Sequence, residues 1–302
     1  MGELTEKLLA LALIFMLGAL VQRRLELPES FYQSANGLAV RFTLPAMILS
    51  SMDKAFSLET LQVSLRLLWI AACVFGTVIA GLEIWRRVSK LPPRTLGLYQ
   101  YLILVGNTAF MGYPVLQAIY GSDGVFYASV FNLVHNVVTF SYGVALFQRD
   151  APIRWGKLLG NACLLSTLAG MTLFLSPLRL PGFLQQALEW VGDITIPLCL
   201  LCVGARMGER LDLFQMGTAV RISLVRTVLF PLALVPALWA LGCSGVTLLV
   251  PAILFATPVS LTAGAFAGRY GGDAALAGRA VVVSNLISVV TLPVLAAVLL
   301  SL

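Results

Sequence analysis

Charge is scarce in this chain. Asp, Glu, Lys and Arg make up only 11% of its 302 residues, where a soluble domain carries roughly a quarter. With 59% hydrophobic residues and a mean hydropathy of +0.92, that shortage excludes an ordinary soluble domain and leaves a polytopic membrane protein. Metal-ligating residues are scarce too. There is one histidine, and the five cysteines (Cys73, Cys163, Cys199, Cys202 and Cys243) lie in or at the end of apolar runs, so no credible metal set forms. Cys199-x-x-Cys202, inside one such run, reads as packing rather than redox chemistry. A Walker A sequence, a glycine-rich dinucleotide fingerprint and a nucleophile-base-acid set are all missing. Neither an enzyme, nor a bound cofactor, nor ATP drive within this chain is expected.

What the chain has is apolar length. Runs able to cross a hydrocarbon core of about 30 Å fall at 7–22, 32–52, 61–85, 96–120, 123–147, 156–176, 185–205, 214–242, 246–268 and 274–301. That makes ten expected spans with almost nothing outside them. Glu3 and Glu6 stand where a signal peptide would carry a basic leader, and no small-residue cleavage pattern follows the run to Val21, so 7–22 reads as a retained helix.

The net charge of +6 takes its meaning from where it sits, not from nucleic acid. Alternate loops hold Arg23, Arg24, Arg86, Arg87, Lys90, Arg94, Arg149, Arg154, Lys157, Arg206, Arg210, Arg269 and Arg279, thirteen in all, against Lys7, Lys54 and Arg179 on the other side. Positive loops stay in the cytoplasm, so both termini are expected on the non-cytoplasmic face.

Two stretches interrupt the apolar pattern. Gly106-Asn107-Thr108-Ala109-Phe110-Met111-Gly112-Tyr113-Pro114 puts two glycines, a proline, an amide and a hydroxyl inside the fourth run, and Ala256-Thr257-Pro258-Val259-Ser260-Leu261-Thr262-Ala263-Gly264 does the same in the ninth. Helices broken there free backbone groups at a depth where lipid cannot satisfy them, and such backbone normally lines a site. Pro45 and Pro197 lie 152 apart, and Pro114 and Pro258 lie 144 apart. A repeat of about 150 residues follows, with five spans per half. Since five is odd, the halves, 1–150 and 151–302, enter the bilayer in opposite directions, and paired interrupted helices in such an inverted repeat point to a secondary transporter.

The GNT and GYP of the fourth span, the TPVS of the ninth followed by Ala267-Gly268-Arg269-Tyr270-Gly271-Gly272-Asp273, and the ten-span plan resemble the auxin efflux carrier family of permeases, which includes plant PIN carriers and bacterial malonate-type transporters. The resemblance covers essentially the whole chain. Residues 148–156 suffice to join the halves, which is closer to a compact prokaryotic member than to a plant carrier with a long cytoplasmic loop, and the expected location is a bacterial inner membrane. The family's Asn-Pro at the start of the sixth span stands here as Asn161-Ala162.

The resemblance implies an all-α fold like that of the sodium/proton antiporters and bile-acid transporters, with helices four and nine crossing near the midplane and an elevator-like movement. It places Gly106, Asn107 and Pro114, with Pro258, Val259 and their neighbours, at the crossover and substrate site. No pair of adjacent acids occurs in the fifth span, where electrogenic antiporters of this fold carry them, so cation/proton exchange is disfavoured. The residues themselves suit a small organic anion, since half-helix ends and freed N–H groups attract a carboxylate. Asn107, Thr108, Ser260 and Thr262 add neutral donors that can release it again. A channel for anions or solutes, and a cation-coupled symporter of the bile-acid type, are the alternatives. The expected partners are the bilayer and the anion, with a homodimer as an option.

Four further groups have two readings each. Asn132 and His135 share one helical face of the fifth span, and Asn132 has a counterpart in Asn285, 153 residues on; both fit interhelical hydrogen bonding. The other reading gives Asn132 a substrate contact and His135, the one histidine, a proton relay. Asp193 and Glu189 read as residues of the non-cytoplasmic boundary, because a midplane acid is expensive; the other reading puts them near a transport path. Arg226 lies deep enough in the eighth span to meet an anion or an acid, although a snorkelling structural role is the first reading.

Overall fold

The computed structural model describes residues 2–147, 156, 159–208 and 216–301. Positions 148–155 of the expected connector, with Arg149, Arg154 and Lys157, and also Arg210, lie outside the described residues.

The described chain is predominantly helical. In order it forms α1 (Gly2–Leu25), α2 (Glu29–Leu38), α3 (Leu44–Met52), α4 (Leu58–Val88), α5 (Pro93–Leu104), α6 (Tyr113–Tyr120), α7 (Ser122–Phe140) and α8 (Tyr142–Ala145). After the connector come α9 (Ala162–Leu175), α10 (Gly182–Asp193), α11 (Thr195–Gly208), α12 (Met216–Leu224), α13 (Phe230–Ala240), α14 (Val246–Ala256), α15 (Ala263–Tyr270) and α16 (Ala274–Ser301). Five stretches, Glu6–Leu25, Leu58–Val88, Gly182–Met207, Met216–Ala240 and Ala274–Ser301, are long and apolar enough to cross a membrane. Ala162–Leu175 and Val246–Ala256 are shorter apolar helices.

Local chemistry explains the ends. Pro93 occupies the first turn of α5, where a missing N–H leaves nothing unsatisfied. Asn161, which precedes the Ala162 at which the family resemblance departs, caps α9: its side chain accepts the Leu164 N–H at 3.0 Å, an interaction worth about 1 kcal/mol. Gly121 and Gly271 end α6 and α15 with φ of 62° and 73°, a conformation open to glycine without strain. Several buried hydroxyls are satisfied within their own helices, as in Ser129 to Val125 O and Thr227 to Ser223 O, a solution available where no water reaches.

Three π turns recur in one setting. Ala39–Thr43, Thr108–Gly112 and Val225–Leu229 each end two residues before a proline, namely Pro45, Pro114 and Pro231. The wider turn gives the pyrrolidine ring room against the carbonyl that it would strike in a regular helix. Pro114 therefore sits inside a continuing helical run, and the interruption expected around it falls earlier, at Val105, Gly106 and Asn107.

The chain divides into two compact units. The first comprises Met1–Leu65, Ala109–Leu133 and Gly156–Arg210, the second Arg66–Thr108, Val134–Trp155 and Leu211–Leu302. In the first, glycines let backbones meet: a Cβ added at Gly204 of α11 would fall on the Phe15 carbonyl of α1, and one at Gly18 of α1 on the Leu201 carbonyl. Small residues at such points replace the hydrophobic drive that lipid removes. Cys202 packs with Tyr32, Ala35 and Ala205 in the same unit. Asp53, Lys54, Asp123, Glu189 and Asp193 line a polar cavity of about 430 Å³ there; Lys54 pairs with Asp123 at 2.9 Å and lies 4.0 Å over the Phe126 ring. Asp193 and Glu189 are both exposed. In the second unit Ser223 of α12 donates to the Ala280 carbonyl of α16 at 3.3 Å.

Candidate functional site

The two interrupted stretches meet in the second unit. Helix α5 stops at Leu104 because Val105 adopts an extended conformation, φ −97° and ψ 111°. Helix α14 stops at Ala256 because Thr257, φ −59° and ψ 147°, precedes a proline, which disfavours the helical region for it. Gly106 and Val259 then form an isolated antiparallel bridge.

The hydrogen bonds there are an exchange between the two chains of backbone. In an unbroken helix the Asn107 N–H would go to Ile103 O; here it donates to Pro258 O at 2.8 Å. Ser260 N–H, which would go to Ala256 O, donates instead to Val105 O at 3.1 Å. Val259 N–H donates to the Ser284 hydroxyl of α16 at 3.0 Å. So three amides expected to be free for a ligand are engaged, as buried backbone demands.

Arg226 supplies the remaining donors. It lies in the π turn between α12 and α13, is 2% exposed, and its Nε donates to Thr257 O at 2.9 Å and to Pro258 O at 3.4 Å. Its Nη1 donates to Ile103 O, the acceptor that Asn107 gave up. Gly106 is what admits the guanidinium: a Cβ there would collide with Arg226 Nη2 and with Thr257 Oγ1. Among the described residues no carboxylate lies within ion-pair distance of Arg226. The arginine thus neither snorkels nor pairs with an acid. It holds two helix ends.

Of the residues singled out from the sequence, Gly106, Asn107, Pro258, Val259 and Ser260 come together at this bridge, and Thr108 follows it as the first residue of a π turn. The Asn107 side chain is buried, and its Nδ2 has no hydrogen-bond partner. Ser260 and Thr262 hydroxyls lie 2.8 Å apart, and Thr262 Oγ1 lies 3.1 Å from the buried Tyr101 hydroxyl. Tyr101 stacks on Phe266, with Phe147 and Tyr270 extending the aromatic cluster.

The others take no part in the bridge's hydrogen bonds. Pro114 and Asn132 belong to the first unit, where the Tyr113 hydroxyl donates to Ser129 Oγ at 3.2 Å and Asn132 Oδ1 is buried without a partner. Asn285 of the second unit gives Nδ2 to Val281 O at 2.7 Å, leaving its own Oδ1 unpartnered. His135 packs its ring 5.7 Å from that of Phe75, and its Nε2 has no hydrogen-bond partner. Sequence reasoning missed Ser284 and Tyr101, whose types carry no signal in an apolar helix. For Arg226 the signal existed: one arginine deep in an apolar run with no acid nearby in sequence.

Similarity to known proteins gives the family. The family described as membrane transport protein matches residues 3–296. An uncharacterized transporter of Methanothermobacter thermautotrophicus is 23% identical over 98% of both chains, and one of Methanocaldococcus jannaschii is 22% identical over 68% of this chain and 69% of its own. A broken-helix bridge in a polytopic helical protein and a match across nearly the whole length lead to one statement: the chain belongs to the membrane transport protein family, that of the auxin efflux carriers, and is a membrane transporter.

Proposed function

We propose that the protein is a secondary transporter of a small organic carboxylate, which binds at the bridge between the interrupted helices. The observation that carries the reading is Asn107 Nδ2, a buried donor with no partner placed where two backbones cross. A buried unsatisfied amide costs free energy that an acceptor oxygen recovers, and a carboxylate offers two such oxygens. The chain folds as ten spans in two inverted repeats, 1–150 and 151–302, moving by an elevator-like step, in a prokaryotic inner membrane. The five long apolar helices, the two shorter ones and the paired breaks support that plan.

Binding of a panel of mono- and dicarboxylates to purified protein tests the cargo, and counterflow in proteoliposomes separates a carrier from a channel. Replacing Asn107 by Ala weakens binding of the best ligand by about 1–3 kcal/mol while leaving elution and melting near normal. Calorimetry with unchanged affinity would remove Asn107 from the site.

The topology follows from the charged loops. Reporter fusions are expected to place both termini outside the cytoplasm, with residues 86–94 and 148–157 inside. A C-terminal reporter found in the cytoplasm would contradict both the ten-span plan and the inverted repeat.

A further inference from the structure

The carbonyls that Arg226 holds belong to the C-terminal ends of α5 and α14. Ile103 is in the last turn of α5, and Thr257 follows the last residue of α14. Each such end carries roughly −0.5 of an elementary charge, so two ends facing one point amount to about −1. Left uncompensated, those two ends would repel a carboxylate. Arg226 brings one positive charge to that point, and no carboxylate among the described residues shares it.

We propose that Arg226 is the positioning residue that gives the crossing its preference for anions: it cancels the negative ends of α5 and α14, so that the unpartnered Asn107 amide faces a ligand without an opposing field. This rests on the carboxylate reading above and adds the source of its selectivity. Gly106 is part of the device because its missing side chain is the guanidinium's seat. Arginine suits the role since it keeps its charge when buried and its planar fork reaches both helix ends. Among the described residues, His135 is a titratable side chain in electrostatic reach of Arg226.

The test compares wild type, Arg226→Gln and Arg226→Lys in detergent, with acetate, malonate and benzoate as probes. Arg226→Gln keeps neutral donors near the carbonyls and removes the charge, so affinity for the tightest probe falls by roughly tenfold or more. Arg226→Lys restores binding at about pH 7 and loses it again towards about pH 9.5, because a buried lysine sheds its proton where arginine does not; wild type stays flat. A role in packing alone would not create that pH dependence. Wild-type affinity in Arg226→Gln, or a pH-independent Arg226→Lys, overturns the role of the charge and leaves the carboxylate reading standing. If wild type binds none of the three acids, the carboxylate reading falls and the selectivity role falls with it. Amide exchange at Asn107 and Ser260 adds a ligand-free readout. Exchange in Arg226→Gln as slow as in wild type would show that Arg226 does not hold the helix ends.

Discussion

Gly106→Val is expected to abolish transport and to lower stability by about 3–5 kcal/mol. The cause is geometric. A Cβ at position 106 falls on the Arg226 guanidinium and on Thr257 Oγ1, and both neighbours are buried and committed. Arg226 holds Thr257 O and reaches Ile103 O, while Thr257 Oγ1 donates to Leu254 O at 2.6 Å. Moving the guanidinium strips two helix ends of their donor and leaves a charge buried without acceptors, a loss larger than simple overcrowding. Moving the backbone instead breaks the Asn107 to Pro258 and Ser260 to Val105 bonds. Melting and uptake per inserted molecule, measured together, check this; a variant that melts and transports like wild type would show that the crossing has slack that the structure does not reveal. Gly106→Ala carries the same clash with fewer atoms and should fall between the two.

Much of this site was legible because its residues are wrong for an apolar helix. Glycine, asparagine and proline at 106, 107 and 258 can be noticed without any knowledge of contacts, and their spacing suggested that the two stretches belong together. Arg226 was legible as a depth anomaly, but its role was not, since it depends on carbonyls 31 and 123 residues away converging on one point. No periodicity encodes that convergence. Ser284 was invisible for a simpler reason: serine is common in membrane helices and usually bonds to its own backbone, as Ser284 also does to Val281 O. The expectation of free amides overlooked that two broken helices can satisfy each other. Within the interrupted stretch 106–114 the break takes only its first two residues, because the π turn at Thr108–Gly112 absorbs Pro114.

That π turn makes the two prolines unequal, and Pro258→Ala and Pro114→Ala are expected to give opposite results. Pro258 keeps Thr257 out of the helical region, which is what turns the Thr257 and Pro258 carbonyls towards Arg226 and the Asn107 N–H. With alanine at 258, α14 can continue through position 257, drawing those carbonyls back along the helix axis. The crossing then loses both its bridge and the seat of its arginine. Transport should fall by about two orders of magnitude, the equivalent of roughly 3 kcal/mol, even in protein that inserts normally. Pro114 lies in the first turn of α6 behind a π turn, so alanine there restores an N–H without displacing any bond at the bridge. Its cost should stay within about 1 kcal/mol of stability, and transport per inserted molecule should remain near wild type. Uptake in proteoliposomes normalised to inserted protein, with amide exchange at Asn107 and Ser260, distinguishes the two variants. Equal loss in both would mean that the helical run from Thr108 to Tyr120 must stay kinked for transport. Equal retention would mean that the bridge holds without help from Pro258.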